Sequence, residues 1–261
     1  MIGGWLRALK VRRDARTLAR RAIPDDLWRL TLARFPFLRA RPADDIARLR
    51  ELATLFLAAK EFGGPMPVSD DMAVAVAAQA CLPILKLGLH WYDGFVGIVI
   101  HPDAVRVRRE TTDDDGVVHA YDETLSGEAM DGGPVMLAWR DVAEAGESAR
   151  WGYNVVIHDF AHVLDFRAGL TRGALPASSG EARARWVAAL AGRHDAFCDS
   201  VDRGRDTFLD PYAALGLEEF FAVASETFFV APAGLRAEDA TVYELLTRFY
   251  LQDPDQAARR N

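Results

Sequence analysis

The stretch NVVIHDFAHVLD, residues 154–165, carries the strongest chemical signal in the chain. His158 and His162 are four residues apart, so on a helix both imidazoles project from one face, one turn apart. Two nitrogens placed in this way can reach one metal ion at about 2.0–2.1 Å. The surrounding residues are apolar, and burying two histidines and a carboxylate among them is costly without a partner. The pattern therefore predicts a metal-binding helix, although core or surface histidines also fall at this spacing by chance.

A third protein ligand has to come from elsewhere, because a catalytic zinc site uses three protein ligands and keeps a fourth position for water. The candidate is the second apolar segment with isolated acids, DPYAALGLEEFFAVASE, residues 210–226. Glu219 and Glu226 are seven residues apart and share a helix face, whereas Glu218 is rotated about 100° away and is expected to be solvated. Spacing alone does not decide whether Glu219 is a metal ligand or an exposed acid that complements the helix dipole.

Two further acids are candidates for orienting the histidines. A ligating imidazole usually donates its other N–H to a carboxylate or carbonyl. Glu226 lies on the face of Glu219 and can reach one imidazole. Asp165 is the other candidate, but it can instead terminate its own helix through local hydrogen bonds.

The composition is that of an ordinary globular protein. The chain has 261 residues, half of them hydrophobic and 26% charged, which supports one large domain or two small ones. The net charge of −7 argues against direct nucleic-acid binding. The two cysteines, Cys81 and Cys198, are far apart and form no CxxC motif, so neither a disulfide framework nor a cysteine zinc site is expected.

Charge is distributed unevenly along the chain. Residues 1–22 carry seven basic residues and one acid, a net charge of +6, so the remainder carries −13. Such a segment can contact a membrane surface or a partner, or it can simply form a solvated helix face. The sequence contains neither a secretory signal pattern nor 18 consecutive uncharged apolar residues, so a cytoplasmic protein without a membrane span is expected.

The pattern of elements predicts a single α+β domain, mostly helical with a small sheet. Residues 1–60 read as a helical segment, 84–145 as strand-rich and 150–254 as the helical half that contains the metal ligands. Helices are predicted at 71–85, 153–166, 181–194 and 217–229, and strands at 96–100 and 134–139. The acidic run at 113–116 lacks the calcium-loop pattern and predicts a solvated hairpin turn.

The string HDFAHVLD, residues 158–165, resembles the HExxH zinc helix of the Mlc titration factor A family, also called the DgsA anti-repressor family. DPYAA at 210–214 and EFFAVASE at 219–226 resemble the second signature of that family. Further similar blocks are QACLPIL at 79–85, LGL at 87–89, GPV at 133–135 and AW at 138–139. The resemblance runs from about residue 50 to residue 254.

Members of that family are zinc metallopeptidases of the gluzincin type, with a zincin-like catalytic core similar to that of anthrax lethal factor. The resemblance implies that His158, His162 and Glu219 bind one zinc ion per chain. It implies that Tyr212 lies near the metal and stabilises an oxyanion or donates a proton. Asp159 falls on the general-base position, which is glutamate in the family.

Aspartate at this position suggests two hypotheses. Its carboxylate is one methylene shorter, and a displacement on the order of 1 Å can lower a rate about a hundredfold. The first hypothesis is a zinc-dependent peptidase, in a specific form an aminopeptidase acting on small peptides. The second is a zinc-containing regulator with weak or no hydrolysis that binds and sequesters a transcriptional repressor.

Overall fold

The first part of the chain is helical in the computed structural model, which describes residues 2–112, 118–171 and 180–258. Its helices are α1 (Ile2–Arg21), α2 (Asp25–Arg34), α3 (Pro36–Arg39), α4 (Ala43–Ala59) and α5 (Asp70–Cys81). Residues 74–81 of α5 are all buried, as expected for a helix that is apolar on every side. α5 ends earlier than the predicted residue 85 because Pro83 has no N–H for a helical hydrogen bond.

A four-stranded sheet lies beneath the metal-binding helix predicted from the sequence. Its strand order is β1 (Glu61–Gly63), β2 (Gly97–His101), β6 (Val135–Ala138) and β5 (Gly127–Ala129). β1, β2 and β6 run parallel, whereas β5 pairs with β6 in the antiparallel sense, with Glu128 opposite Met136. β5 therefore forms one edge of this sheet. The strands β3 (Val105–Thr112) and β4 (Val118–Leu125) form a separate antiparallel hairpin.

The second half of the chain supplies the two helices that hold the candidate ligands. Its helices are α6 (Trp139–Ser148), α7 (Val155–Ala168), α8 (Glu181–Asp202), α9 (Leu217–Val230), α10 (Pro232–Glu238), α11 (Ala240–Tyr250) and α12 (Pro254–Ala258). α7 packs against α9 and also against β5, β6 and α5. Phe160 anchors α7 in the core, with its ring centroid 5.0 Å from that of Tyr92 and 5.7 Å from that of Phe56. α7 is therefore held between the sheet and the helical half.

The termini of α7 follow from its flanking residues. Asn154 precedes the helix, and its side chain accepts a hydrogen bond from the Ile157 N–H, as an N-cap does. Gly169 follows the helix at φ 59°, the left-handed conformation that ends many helices. These caps fix where along the sheet the two histidines lie.

The prediction of a mostly helical α+β domain with a small sheet is confirmed. The similarity to the lethal-factor core stays a prediction. The acidic turn predicted at 113–116 lies outside the described residues. Within the described ranges, no helix combines the length and apolar character that a membrane crossing requires.

Candidate metal centre

His158 and His162 turn their Nε2 atoms toward each other on the face of α7 that meets α9. The two Nε2 atoms lie 3.2 Å apart, and the ring planes are inclined at 73°. Both side chains are largely buried. The spacing of four residues therefore brings the nitrogens to one point, as the sequence predicts.

Glu219, in the first turn of α9, brings a carboxylate oxygen to the same point. Its Oε2 lies 3.2 Å from Nε2 of His158 and 3.4 Å from Nε2 of His162. Despite this proximity, Oε2 is buried and accepts no well-formed hydrogen bond from the described residues. An ion with tetrahedral bonds of about 2.0–2.1 Å separates its ligand atoms by about 3.3–3.4 Å. The three atoms therefore fit one such ion, and they form the one cluster of metal-ligating side chains found among the described residues.

The charge of this cluster also favours a cation. Burial would raise the pKa of Glu219, but the two imidazoles outweigh burial and hold the pKa at about 2. Burial likewise disfavours a protonated His158, yet the carboxylates of Glu219 and Glu226 raise the pKa of its imidazole well above the ordinary value. The acids thus attract a positive charge to the point where the three ligand atoms meet.

Glu226 contacts His158 from the side opposite to that meeting point. Its Oε1 lies 3.3 Å from Nδ1 of His158, and its Oε2 accepts a 2.6 Å hydrogen bond from the backbone N–H of Asn154. A proton on Nδ1 is then shared with the glutamate, which leaves the Nε2 lone pair for a metal. Glu226 is 2% exposed, so its position is fixed by the packing of α7 on α9.

Asp165 lies at the other end of α7. Its carboxylate accepts hydrogen bonds from the backbone N–H groups of Leu170 and Thr171 and from the Thr171 hydroxyl. These bonds terminate the helix at its C-terminal end. Asp165 therefore has the helix-terminating position that was the alternative to orienting a histidine.

Asp159 lies deeper than its neighbour His158, at 3% exposure. A Cβ built on Gly127, at the start of β5, would lie 1.7 Å from Oδ2 of Asp159, so this carboxylate fits only because residue 127 is glycine. Oδ2 has no hydrogen-bond partner among the described residues. Burial raises the pKa of Asp159 to about 8, with Glu226 and Glu219 adding to the rise and His158 opposing it.

A cleft of about 300 Å³ opens beside these groups, lined among others by His158, Asp159 and Tyr212. Tyr212 is 42% exposed, and its ring centroid lies 6.2 Å from that of His158. It stands in a 3-10 turn, Pro211–Leu215, where Asp210 accepts a hydrogen bond from its backbone N–H. The candidate base, ligand and tyrosine thus share one cleft.

Four residues that the sequence reasoning missed also belong to this region. Tyr153 and Ser126 both line the cleft. The Asn154 side chain donates to Oε1 of Gln79 at 2.8 Å, which links α5 to the start of α7. An asparagine before an apolar helix signals an N-cap, but no local pattern points to Ser126 or Gln79.

Two histidines one helical turn apart, a glutamate from a second helix and a carboxylate beside the first histidine form an arrangement like the HExxH sites of metallopeptidases. The sequence model of the glucose-regulated metallo-peptidase M90 family (Peptidase_M90) matches residues 9–251. The chain belongs to this family.

Relatives that span nearly the whole chain agree with this assignment. Mlc titration factor A of Salmonella arizonae is 35% identical, over 90% of this chain and 94% of its own length. Mlc titration factor A of Edwardsiella ictaluri is 37% identical over 85% of both chains. An uncharacterised protein of Synechocystis sp. is 32% identical over 87% of this chain and 84% of its own. The resemblance to the Mlc titration factor A family is thereby confirmed.

Proposed function

We propose that the chain is a zinc-dependent peptidase and, more specifically, an aminopeptidase that acts on small peptides. The observation that carries this proposal is the triangle of ligand atoms from His158, His162 and Glu219, with sides of 3.2–3.4 Å. Its size suits a tetrahedral zinc ion, and its ligand set of two histidines and one glutamate is one that catalytic zinc sites use. One zinc ion per chain is expected.

Each group in the cleft has a distinct role in this proposal. When bound, zinc would polarise the scissile carbonyl and acidify a water molecule. Asp159 accepts the proton of the attacking water, because its carboxylate follows the ligand His158 in the chain and lines the same cleft. Tyr212 directs its hydroxyl to the oxyanion that develops on the carbonyl oxygen. Glu226 keeps the His158 ring in one tautomer and orientation.

The position of the cleft supports a peptide as substrate. Gly127, in the edge strand β5, is one of the residues that line it. An extended peptide can pair with the free side of an edge strand through main-chain hydrogen bonds, which recognise backbone rather than a particular side chain. The cleft volume of about 300 Å³ is at the lower end for ligand pockets, which favours short substrates.

Turnover of chromogenic amino-acid amides tests the proposal directly. The expected result is hydrolysis that a chelator abolishes and that added zinc restores. Metal analysis of the same samples should give about one zinc per chain before chelation. Hydrolysis that is unaffected by complete removal of the metal would refute the proposed centre.

A second candidate is a zinc-containing regulator that sequesters a transcriptional repressor, with weak or no hydrolysis. The observation that favours it is the burial of Asp159, whose Oδ2 is packed against Gly127. The Asp159 side chain is also one methylene shorter than that of glutamate. The relatives' name, Mlc titration factor A, describes titration of a factor called Mlc, which is compatible with such binding. Absence of turnover on any amide or peptide, with zinc retained, would favour this second candidate.

A further inference from the structure

A second cavity, of about 430 Å³, shares none of its described lining residues with the metal cleft. It lies where the C-terminal end of α7 meets α8, α11 and the 3-10 turn Leu89–Tyr92. Three arginines and three aromatic residues make up most of its lining: Arg167, Arg183, Arg248, Trp91, Trp186 and Phe249. We call it the arginine cavity.

The positive charge of the arginine cavity is only partly balanced. Arg248 lies 3.5 Å from Glu244, but both side chains are largely exposed, so this pair is weak. Among the described residues, no acid forms an ion pair with Arg167 or Arg183. The Nε of Arg183 is buried, and none of the residues that the structure describes accepts a hydrogen bond from it. A buried donor without an acceptor is costly, and an anion in the cavity would bring negative charge to the guanidinium of Arg183, which lines it.

The aromatic side chains form a rigid apolar wall beside these cations. The ring of Phe249 lies 5.5 Å from that of Trp186, inclined at 32°, and 5.9 Å from that of Trp91, inclined at 77°. The indole N–H of Trp186 donates a 3.0 Å hydrogen bond to the carbonyl of Leu245, which fixes its ring. These half-buried rings therefore give the cavity an apolar side held in place by packing.

We propose that the arginine cavity binds a small aromatic anion, a planar ring that carries a phosphate or carboxylate group. Guanidinium groups pair with such oxyanions through two parallel hydrogen bonds, and the ring has the aromatic wall to pack against. The volume of about 430 Å³ is within the range of small-molecule sites. This site is independent of the metal centre and of peptide hydrolysis.

Calorimetric titration of the full chain with phenyl phosphate and with benzoate tests the proposal. Inorganic phosphate and phenol serve as the charged and apolar fragments alone. At least one of the two aromatic anions should bind about tenfold or more tightly than either fragment, because it uses the arginines and the aromatic wall together. Repeating the titration with a chelator present separates this site from the metal centre, and the affinity should not change.

Variants on α8 and α11 locate the binding site. Arg183→Gln should weaken binding about tenfold, the cost of one charge-assisted hydrogen bond. Arg248→Gln should also weaken it, and this side chain is exposed enough that the fold does not depend on it. Arg185→Gln is the matched control, because Arg185 is exposed, pairs with Glu181 and does not line the cavity. Binding no tighter than that of the fragments, or equal losses in the Arg248 and Arg185 variants, would overturn the proposal.

Discussion

One carboxylate oxygen of Glu226 lies 3.3 Å from Nδ1 of His158, and the other accepts a hydrogen bond from the backbone N–H of Asn154, the residue that caps α7. One side chain of α9 thus sets both the ring orientation of a candidate ligand and the position of the helix that carries it. Since α9 also contributes Glu219, the metal centre depends on how these two helices pack. Single substitutions at the centre should therefore change its metal content, metal affinity or turnover in ways that depend on the residue replaced.

The first prediction concerns His162→Ala. This change removes one of the two ligand nitrogens and leaves two of the three ligand atoms, so the purified variant should lose stoichiometric zinc while the apolar remainder of α7 keeps its packing. The measurement is metal content per chain, with circular dichroism to check the fold. His101→Ala, at the end of β2, is the control and should keep about one zinc per chain. Full zinc retention in His162→Ala would contradict the ligand assignment.

A second prediction separates orientation of His158 from metal ligation. Glu226→Gln retains a carbonyl that accepts the Asn154 N–H, but it replaces the charged acceptor of the His158 N–H. Metal affinity should fall about tenfold to a hundredfold, as is typical when such a partner is lost. Competition with a chromogenic chelator measures this change. Glu218→Gln, an exposed acid on the same helix, should leave the affinity unaltered, and equal losses in both variants would point to a general charge effect.

Sequence periodicity is sufficient to predict α7 and α9, since both are long apolar helices with isolated polar residues. His158 and His162 can be predicted as a pair because their proximity is a local property of the helix. Glu219 lies 57 residues after His162 in the chain. Its spacing alone could therefore not show whether it is a metal ligand or an acid that only complements the dipole of its helix. The three-residue strand β1 was also missed, because it is too short to give a periodic signal.

The supporting contacts of the centre are not encoded in any local pattern. Asn154 and Gln79 meet across 75 positions of the chain, and Gly127 meets Asp159 only because β5 packs against α7. A buried glycine or glutamine has many possible reasons to be where it is, and tertiary packing selects among them. The sequence therefore indicates the candidate ligands and the candidate base more readily than the residues that position them.

The third prediction concerns the hydroxyl of Tyr212. Tyr212→Phe should keep its zinc and its fold, because the ring is 42% exposed and its packing does not change. The hydrolytic rate should fall about tenfold to a thousandfold, as expected for loss of one oxyanion donor. The loss should appear in kcat rather than KM, because the donor acts on charge that develops in the transition state. An unchanged kcat would restrict Tyr212 to a role in packing.

The fourth prediction tests the space that Gly127 leaves for Asp159. In Gly127→Ala the new Cβ would lie 1.7 Å from Oδ2, so the carboxylate has to move. Turnover should fall by about a hundredfold for a displacement on the order of 1 Å, while zinc content stays constant because Asp159 is not a ligand. Gly63→Ala in strand β1 is the matched control, since a Cβ there meets nothing within 4 Å. Equal activity of the two variants would show that Asp159 has no part in the reaction.

The last prediction concerns Asp159→Glu. Glutamate extends the carboxylate by one methylene, which restores the reach that proton abstraction from the attacking water requires. Since Oδ2 of Asp159 already fills the space that Gly127 leaves beside β5, the additional methylene has to be accommodated toward the cleft that Tyr212 also lines. Peptidase turnover should therefore rise, by up to about a hundredfold if reach is the only defect, with zinc content unchanged.

Two other outcomes of Asp159→Glu are informative in opposite ways. If the cleft is closely fitted to aspartate, the added methylene crowds it at a cost of about 1–3 kcal/mol in stability, and both turnover and the unfolding temperature fall. The double variant Asp159→Glu with Gly127→Ala tests whether a gain in the single variant needs the space beside β5, because the new Cβ fills that space and should abolish the gain. If neither form hydrolyses any substrate while both bind zinc, reach is not the defect. The buried carboxylate at position 159 then serves the fold, and the centre belongs to a binding protein.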